Sequence, residues 1–346
     1  MGMGGRLLRC FGFHSGVSDN SGKKAEGKER KMQEKIELIQ KEMKKVIVGK
    51  YDVIQKVLIA VLAQGHVLLE DVPGTGKTTL AAAFAKVLGL DSRRIQFTSD
   101  TMPSDIIGFS IYDMKTGELT YKPGAIMTNL LLADEINRTS SKTQSALLEA
   151  MEERQVTVDG VTRKLEEPFI VLATQNPAGS AGTQMLPAAQ LDRFLMRLSM
   201  GYPDRASQVE IMKDRHHTDP MERVQPVLAI PDLLAVTEQV TNVHVSDPIY
   251  NYITDLAEET RNNPYIQLGV SPRGALAVCR TAKACAFIHG RDYVIPEDVA
   301  EIFKCVCGHR LILSAKARLH EQTAEGLLEE ILEHVDKPEM KESKIR

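Results

Sequence analysis

The sequence predicts an α/β fold in which a parallel sheet, covered by helices on both faces, is followed by a smaller all-α domain. Three observations carry that expectation. Runs 66–69, 129–133 and 169–174 are dominated by apolar residues, as strands buried on both faces are. The first run leads into Glu70-Asp71-Val72-Pro73-Gly74-Thr75-Gly76-Lys77-Thr78-Thr79, and a strong helical stretch over 78–88 follows. Strand, glycine-rich loop and helix in that order are what a phosphate-binding loop requires. After Gly201-Tyr202-Pro203 the pattern changes to helical periodicity without a strong strand, through about Val335.

In chain order, residues 1–31 are rich in Gly, Ser and Lys and are expected to be a disordered tail, or a start placed too early with Met32 as the functional beginning. The glycines and mixed charges argue against a transit peptide, and Arg6 argues against myristoylation at Gly2. The spacing of Ile36, Ile39, Met43, Val46 and Ile47 predicts an amphipathic helix from Met32 to near Gly49, and a second helix is expected over 52–64. Residues 109–122 and 154–165 predict two hairpins, turning at Thr116-Gly117 and Asp159-Gly160; Asp-Gly suits a type I′ turn. The expected division is a tail over 1–31, an α/β core over 32–201, a helical domain over 202–335 and a flexible C-terminus over 336–346.

Composition narrows the classes. Hydrophobic content of 43% with 26% charged residues is that of a soluble globular chain, and no apolar run approaches the roughly 20 residues that span a bilayer. A formal charge of −3 gives no global reason to expect nucleic acid or an anionic membrane as partner. The five cysteines are odd in number, with no secretory signal upstream, which predicts free thiols in a reducing, cytoplasmic compartment. Cys305, Cys307 and His309 are the nearest approach to a metal cluster. A step of two on a helix turns side chains by about 200°, so they are read as buried thiols beside a surface or capping histidine.

The chemistry of the loop is specific. Gly74 and Gly76 allow the backbone to approach phosphate, Lys77 would reach the β- and γ-phosphates, and Thr78 would offer its hydroxyl to Mg²⁺. Asp71 stands where the usual pattern has its first glycine, a place that a turn-tolerant residue beside Pro73 can fill. Asp134 ends the second apolar run, placed to hold Mg²⁺ through water, and Glu135 is placed to orient or deprotonate an attacking water. Asn176 closes the third run and could hold that water or the γ-phosphate. Arg193 and Arg273 are candidate phosphate-facing arginines; Arg193 cannot easily fold back to its own loop and could serve a neighbouring subunit. Neither a guanine-reading motif nor a kinase arrangement is present, so water is the expected acceptor.

These motifs in this order resemble the MoxR family of AAA+ ATPases. The resemblance runs from about Met32 to Leu332 and rests on Val48-Gly49, LLEDVPGTGKTTLA, RIQFTSDTMPSDIIG, LLLADEINRTSSKTQSALLEAMEERQVT, LATQNP, LPAAQLDRFLMR and SPRGAL. It implies a RecA-like core with a helical lid, assembling as a ring, typically a hexamer, with ATP between subunits. By motif match it implies Pro73, Gly74, Thr75, Gly76, Lys77, Thr78 and Thr79 as the phosphate loop, with Asp134 and Glu135 as the Walker B pair. Asn176 would be the first sensor, Arg193 the arginine finger with Arg197 in reserve, and Arg273 the second sensor, in cis or in trans. Val48 and Gly49 would pack near adenine, and the hairpins would face the pore or client. Such proteins are similar in role to chaperones, commonly with a von Willebrand factor A partner that itself binds the metal. The other class considered is a nucleic-acid motor, with Lys142, Arg154, Arg163 and Lys164 as contacts; the near-neutral charge and absence of Trp argue against it.

Overall fold

The computed structural model describes residues 20–72, 74–115, 117–176, 185–214 and 219–339, with side chains from Met32 onward. In chain order the core comprises α1 (Asn20–Lys44), α2 (Tyr51–Leu62), β1 (Val67–Glu70), α3 (Lys77–Val87), β2 (Ser92–Gln96), α4 (Pro103–Ile107), β3 (Phe109–Asp113), β4 (Glu118–Lys122) and β5 (Leu130–Asp134). It continues with α5 (Ser141–Glu153), β6 (Gln155–Val158), β7 (Val161–Lys164), β8 (Ile170–Gln175), α6 (Ala188–Leu191) and β9 (Met196–Leu198). The lid holds α7 (Arg205–Asp214), α8 (Ile230–Thr241), α9 (Asp247–Asn262), β10 (Ile266–Leu268), α10 (Pro272–Ile288), α11 (Pro296–Cys307), β11 (Ile312–Leu313), α12 (Ala315–Leu319) and α13 (Ala324–His334). No helix among the described residues is long and apolar enough to cross a membrane.

The central sheet is fully parallel, in the order β2-β5-β8-β1-β9. Alternation along each strand sends side chains to opposite faces. Val67, Leu69, Leu130, Leu132, Ile170 and Leu172 join α1, α2, α3 and the lid in one core, while Leu68, Leu131, Ala133, Val171 and Ala173 pack on α5 in the other. Burial on both faces explains why β1, β5 and β8 were legible as unbroken apolar runs. Two strands were not legible. β2 reads SRRIQ, lies at the sheet edge and is largely exposed, so charge replaces the apolar signal. β9 is only three residues long.

Helix α1 begins at Asn20, well before the apolar spacing starts at Met32. It ends at Lys44 rather than near Gly49; the buried Val46 and Ile47 follow in the turn. Residues 1–19, where the expected tail begins, lie outside the described residues, as do 340–346, Cys10, His216 and His217. Both hairpins form. Asp159 and Gly160 have φ of 52° and 75°, the pair of positive values that a type I′ turn needs. Thr116 lies outside the described residues, but Gly117 beside it has φ of 72°. Arg163 of one hairpin stacks 4.0 Å from the ring of Tyr121 in the other, so the two insertions touch. The lid is helical except for the antiparallel ribbon of β10 and β11, too short to leave a sequence signal.

His66, at the foot of β1, is buried in neutral form. Nδ1 accepts from Val171 N at 3.0 Å, so Nε2 donates to Met151 O at 3.1 Å. Burial lowers its pKa from 6.5 to about 4. The unfolded imidazole takes its proton first, so the stability tied to His66 is complete above pH 6.5 and is lost as pH falls toward 4. The full loss is about 3 kcal/mol. Urea unfolding at about pH 7 and about pH 4.5 should show a shallower pH dependence in His66→Gln than in the wild type; parallel curves would refute the assignment.

Candidate active site

The parallel strands set the geometry. Their C-terminal ends lie together, so the loop after β1, Asp134-Glu135 after β5 and Asn176 after β8 meet at one end of the sheet, with β8 between the other two. Gly74 and Gly76 have φ of 84° and 92°, which an L-residue adopts only with strain, and a Cβ added at Gly74 would meet nothing within 4 Å. Conformation, not crowding by the protein, requires glycine there. Pro73 lies outside the described residues. Thr75 Oγ1 donates to Val72 O at 3.4 Å, and Thr78 and Thr79 sit in the first turn of α3.

Lys77 is buried, and its Nζ donates to Asp71 O at 2.8 Å and Val72 O at 3.1 Å. Burial pulls its pKa below the usual lysine range, opposed by the carboxylates of Asp71, Asp134 and Glu135. Asp71 itself does more than tolerate a turn. Its carboxylate accepts from Ser199 Oγ at 3.0 Å, from Gly201 N at 3.0 Å and from Met200 N, fastening the loop to the segment that leads into the lid. Asp71→Gly, which restores the general loop pattern, should therefore destabilise the protein by about 2–4 kcal/mol, since hydrogen bonds to a charged group are worth about 1.5–3 kcal/mol each. A thermal melt tests this; an unchanged Tm would exclude the anchoring role.

Asp134 Oδ1 accepts from Thr174 Oγ1 at 2.6 Å, and Oδ2 pairs with Arg94 Nη2 at 2.7 Å. Glu135 occupies the left-handed region with φ of 57°, a strained setting of the kind that clusters at functional sites. Its N–H donates to Thr174 Oγ1 at 2.9 Å. Its Oε1 accepts from Asn176 Nδ2 at 3.3 Å, and Oε2 pairs with Arg138 Nη1 at 2.8 Å. Asn137 grips the backbone of Asn176 from both sides, Nδ2 to its O at 3.1 Å and Oδ1 from its N at 3.3 Å. Arg94, Asn137 and Thr174 were missed in the sequence: an arginine on an exposed strand and uncharged residues beside a known motif give no separate signal.

Val48 and Gly49 lie against the start of α7. Gly49 has φ of 74°, and a Cβ there would stand 2.1 Å from Ser207 Oγ. Lys50 Nζ reaches Tyr202 O at 2.8 Å, next to the Gly201 that Asp71 holds. Val48 also borders a cavity of about 620 Å³ shared with Lys44, Lys45, Val209, Glu210 and Lys213.

The two arginines go elsewhere. Arg193 precedes β9, whose Met196 pairs with Val67 at the beginning of β1, so Arg193 lies at the opposite end of the sheet from the loop. Four strand residues at about 3.3 Å each separate the two ends. Arg273, at the start of α10, is beside it: Glu152 binds Arg193 Nε at 3.2 Å through Oε2 and Arg273 Nη1 at 3.0 Å through Oε1. Asp192 backs them, 3.9 Å from Arg273 Nε and 2.7 Å from the Nε of the buried Arg310. Arg193, Arg273, Arg280, Lys283 and Arg310 border a cavity of about 490 Å³. Arg197, the reserve candidate, is instead held within the chain by Glu70 at 3.2 Å and Glu325 at 2.7 Å. Glu152 and Asp192, invisible as a pair in the sequence, organise this face.

Cys305 and Cys307 have thiol pKa values pushed up to about 12 by burial. His309 is buried rather than at the surface, its Nε2 at 3.0 Å from Phe194 O. Of the cations suspected for nucleic acid, Arg154 bonds Gln64 O at 3.1 Å and Arg163 lies on Tyr121, so both are engaged within the chain.

A glycine-rich loop and an acidic pair on a five-stranded parallel sheet, with a helical lid behind, define a P-loop ATPase of the AAA+ class. Residues 66–196 match the ATPase family associated with various cellular activities (AAA), and residues 258–331 match the AAA lid domain. The chain is 39% identical over 308 residues to the chaperone MoxR1 of Mycobacterium tuberculosis, covering 86% of this chain and 81% of that protein. It is 50% identical over 294 residues to the uncharacterized protein YeaC of Bacillus subtilis, covering 85% of this chain and 92% of that one. A crystal structure from Cytophaga hutchinsonii, assigned as an ATPase, superposes with a TM-score of 0.86 at 39% identity, over 92% of this chain and 99% of that one. The chain belongs to the MoxR family of AAA+ ATPases.

Proposed function

We propose that the chain is an Mg²⁺-dependent ATPase that works as a ring, typically a hexamer, and remodels a protein client in a chaperone-like role. One observation carries the reading. Lys77, Asp134, Glu135 and Asn176 gather at one end of the sheet, and Arg193 and Arg273 stand at the other. A complete site then needs two copies, each giving its arginines to its neighbour.

The donors fit the groups the class implies. The Thr78 hydroxyl and Asp134 carboxylate are hard oxygen ligands suited to Mg²⁺, and Lys77 with the backbone of Gly74, Thr75 and Gly76 suits triphosphate oxygens. Val48 and Gly49 line the adenine side, with Pro73 and Thr79 completing the loop. Bound ATP with Mg²⁺ supplies the terminal anhydride that is cleaved. Glu135 takes a proton from the attacking water on its carboxylate, and Asn176 Nδ2 orients both. Arg193 and Arg273 counter charge developing on the neighbour's γ-phosphate. Arg273 thus acts in trans, although it belongs to the lid.

Similarity to a protein named as a chaperone supports a protein client, and the exposed Phe109, Ile111, Tyr112, Met114 and Leu119 of the β3–β4 hairpin offer an apolar surface for one. A von Willebrand factor A partner and a cytoplasmic setting belong to the same reading. Lys77→Ala should weaken ATP binding about 10- to 100-fold, the size of a lost charge-assisted contact. Unchanged affinity by titration would count against the loop assignment. A rate per chain that stays constant as protein is diluted below assembly would count against the shared site.

A further inference from the structure

Helices α10 and α11 pack against each other in the lid, and their facing sides collect four side chains able to ligate a metal. Cys285 in the last turn of α10 and His289, the residue that caps it, are four apart, and Asp298 and Glu301 are three apart in the first turns of α11, so each pair shares a helix face. A ligating atom from each of Cys285, His289 and Asp298 lies within 4.8 Å of the other two. Glu301 closes the group: its Oε2 is 3.5 Å from Cys285 Sγ and 3.0 Å from His289 Nε2. Around a tetrahedral ion with bonds of about 2.3 Å to sulfur and about 2.0–2.1 Å to nitrogen and oxygen, neighbouring ligands stand about 3.3–3.5 Å apart. Glu301 stands close to that spacing from Cys285 and His289, and Asp298 lies within 4.8 Å of the same two, so closing the shell asks for a short side-chain movement.

Their surroundings hold them there. Glu301 Oε1 accepts from Gln55 Nε2 of α2 at 3.0 Å. Asp298 is gripped by Arg291 through two bonds of 2.6 and 2.5 Å and by Ile295 N at 2.9 Å; Oδ2 takes two of these and Oδ1 one, which leaves one lone pair of Oδ1 for another partner. Outer contacts of this kind orient carboxylates around metals. Cys285 is fully buried, whereas His289 and Glu301 have side chains 40% and 33% exposed, giving an ion a way in.

We propose that Cys285, His289, Asp298 and Glu301 form a binding site for a divalent cation of the zinc class. One sulfur, one imidazole nitrogen and two carboxylate oxygens suit a borderline-soft tetrahedral ion and not Mg²⁺. Binding replaces the Cys285 S–H bond with a sulfur–metal bond and releases the proton to solvent, with no change of oxidation state. The site joins the two lid helices and, through Gln55, the core helix α2. An ion there fastens the lid to the core through α2.

The test uses the full chain, freed of metal by chelation and without nucleotide, titrated with Co²⁺. Binding of one ion with a near-ultraviolet thiolate-to-cobalt charge-transfer band and visible bands of tetrahedral strength is expected, both displaced by Zn²⁺. The Mg²⁺ ligands carry no thiolate, so cobalt at that site cannot give the charge-transfer band. Cys285→Ser should lose the band, and Glu301→Gln should keep it while weakening binding at least about 10-fold. Absence of the band in the wild type, or its survival in Cys285→Ser, overturns the proposal. Should Cys285→Ser fail to fold, His289→Ala carries the test from the exposed side of the cluster: undiminished cobalt affinity there overturns it equally.

Discussion

Replacing Glu135 by Gln is expected to cut ATP turnover by about 10²–10⁴, the usual contribution of a positioned general base, while ATP affinity changes by no more than about threefold, or about 0.6 kcal/mol. The substitution keeps length and shape. A glutamine carbonyl oxygen can still accept from Asn176 Nδ2, which lies 3.3 Å from Glu135 Oε1, and the backbone bond to Thr174 Oγ1 is untouched. What disappears is the capacity to take a proton from water, together with the half-exposed ion pair to Arg138. Lys77 is held by its bonds to Asp71 O and Val72 O, which the substitution leaves untouched, so the groups proposed to hold the triphosphate remain in place. Phosphate release and equilibrium binding of a fluorescent ATP analogue, measured on one preparation, separate the two effects. Turnover near the wild-type rate would remove Glu135 from the proton-transfer role; loss of binding would mean that the variant has damaged the loop instead.

The contrast between what the sequence disclosed and what it hid has a physical cause. β1, β5 and β8 were legible because both faces are covered, and a strand with no solvent side has no polar alternation to confuse it. The same coverage places Asp134 and Asn176 at strand ends and Lys77 just beyond the loop after β1, where a motif and an apolar run adjoin in the chain. β2 sits at the edge and gave no such run, so Arg94, which pairs with Asp134, could not be found. Asp71 shows a different limit. Its residue type was visible, but its hydrogen-bond acceptance from Ser199, Met200 and Gly201 depends on contacts some 130 positions away. The pairing of Arg193 with Arg273 through Glu152 is hidden for the same reason, since three distant segments meet there. Cys285 and His289 were likewise unremarkable until α11 brought Asp298 and Glu301 against them.

Arg193→Ala is expected to lower turnover by about 10³–10⁵, as loss of an arginine that meets a transferring phosphoryl group does. The placement of Arg193 makes the nature of that loss testable. It lies just before β9, whose Met196 pairs with the start of β1, whereas the loop follows the end of β1, so no rotamer brings it to its own Lys77. The defect should therefore appear at the neighbour's site. Mixed with Glu135→Gln chains, Arg193→Ala chains keep an intact Glu135, and their partners supply an intact Arg193. In a ring of heterologous interfaces assembled at random from equal parts, about one interface in four combines the two intact halves. Activity should rise from near zero in either pure variant to roughly that fraction of the wild-type rate, provided that chains exchange before assay. Arg273→Ala should complement in the same way, since Glu152 holds both arginines on one face. Arg197→Ala should not: its partners Glu70 and Glu325 are in its own chain, and its loss acts on the subunit that carries it. Failure of the Arg193→Ala mixture at every ratio would restrict Arg193 to its own subunit and dismantle the shared site, because no second route carries a group from that end of the sheet to the loop.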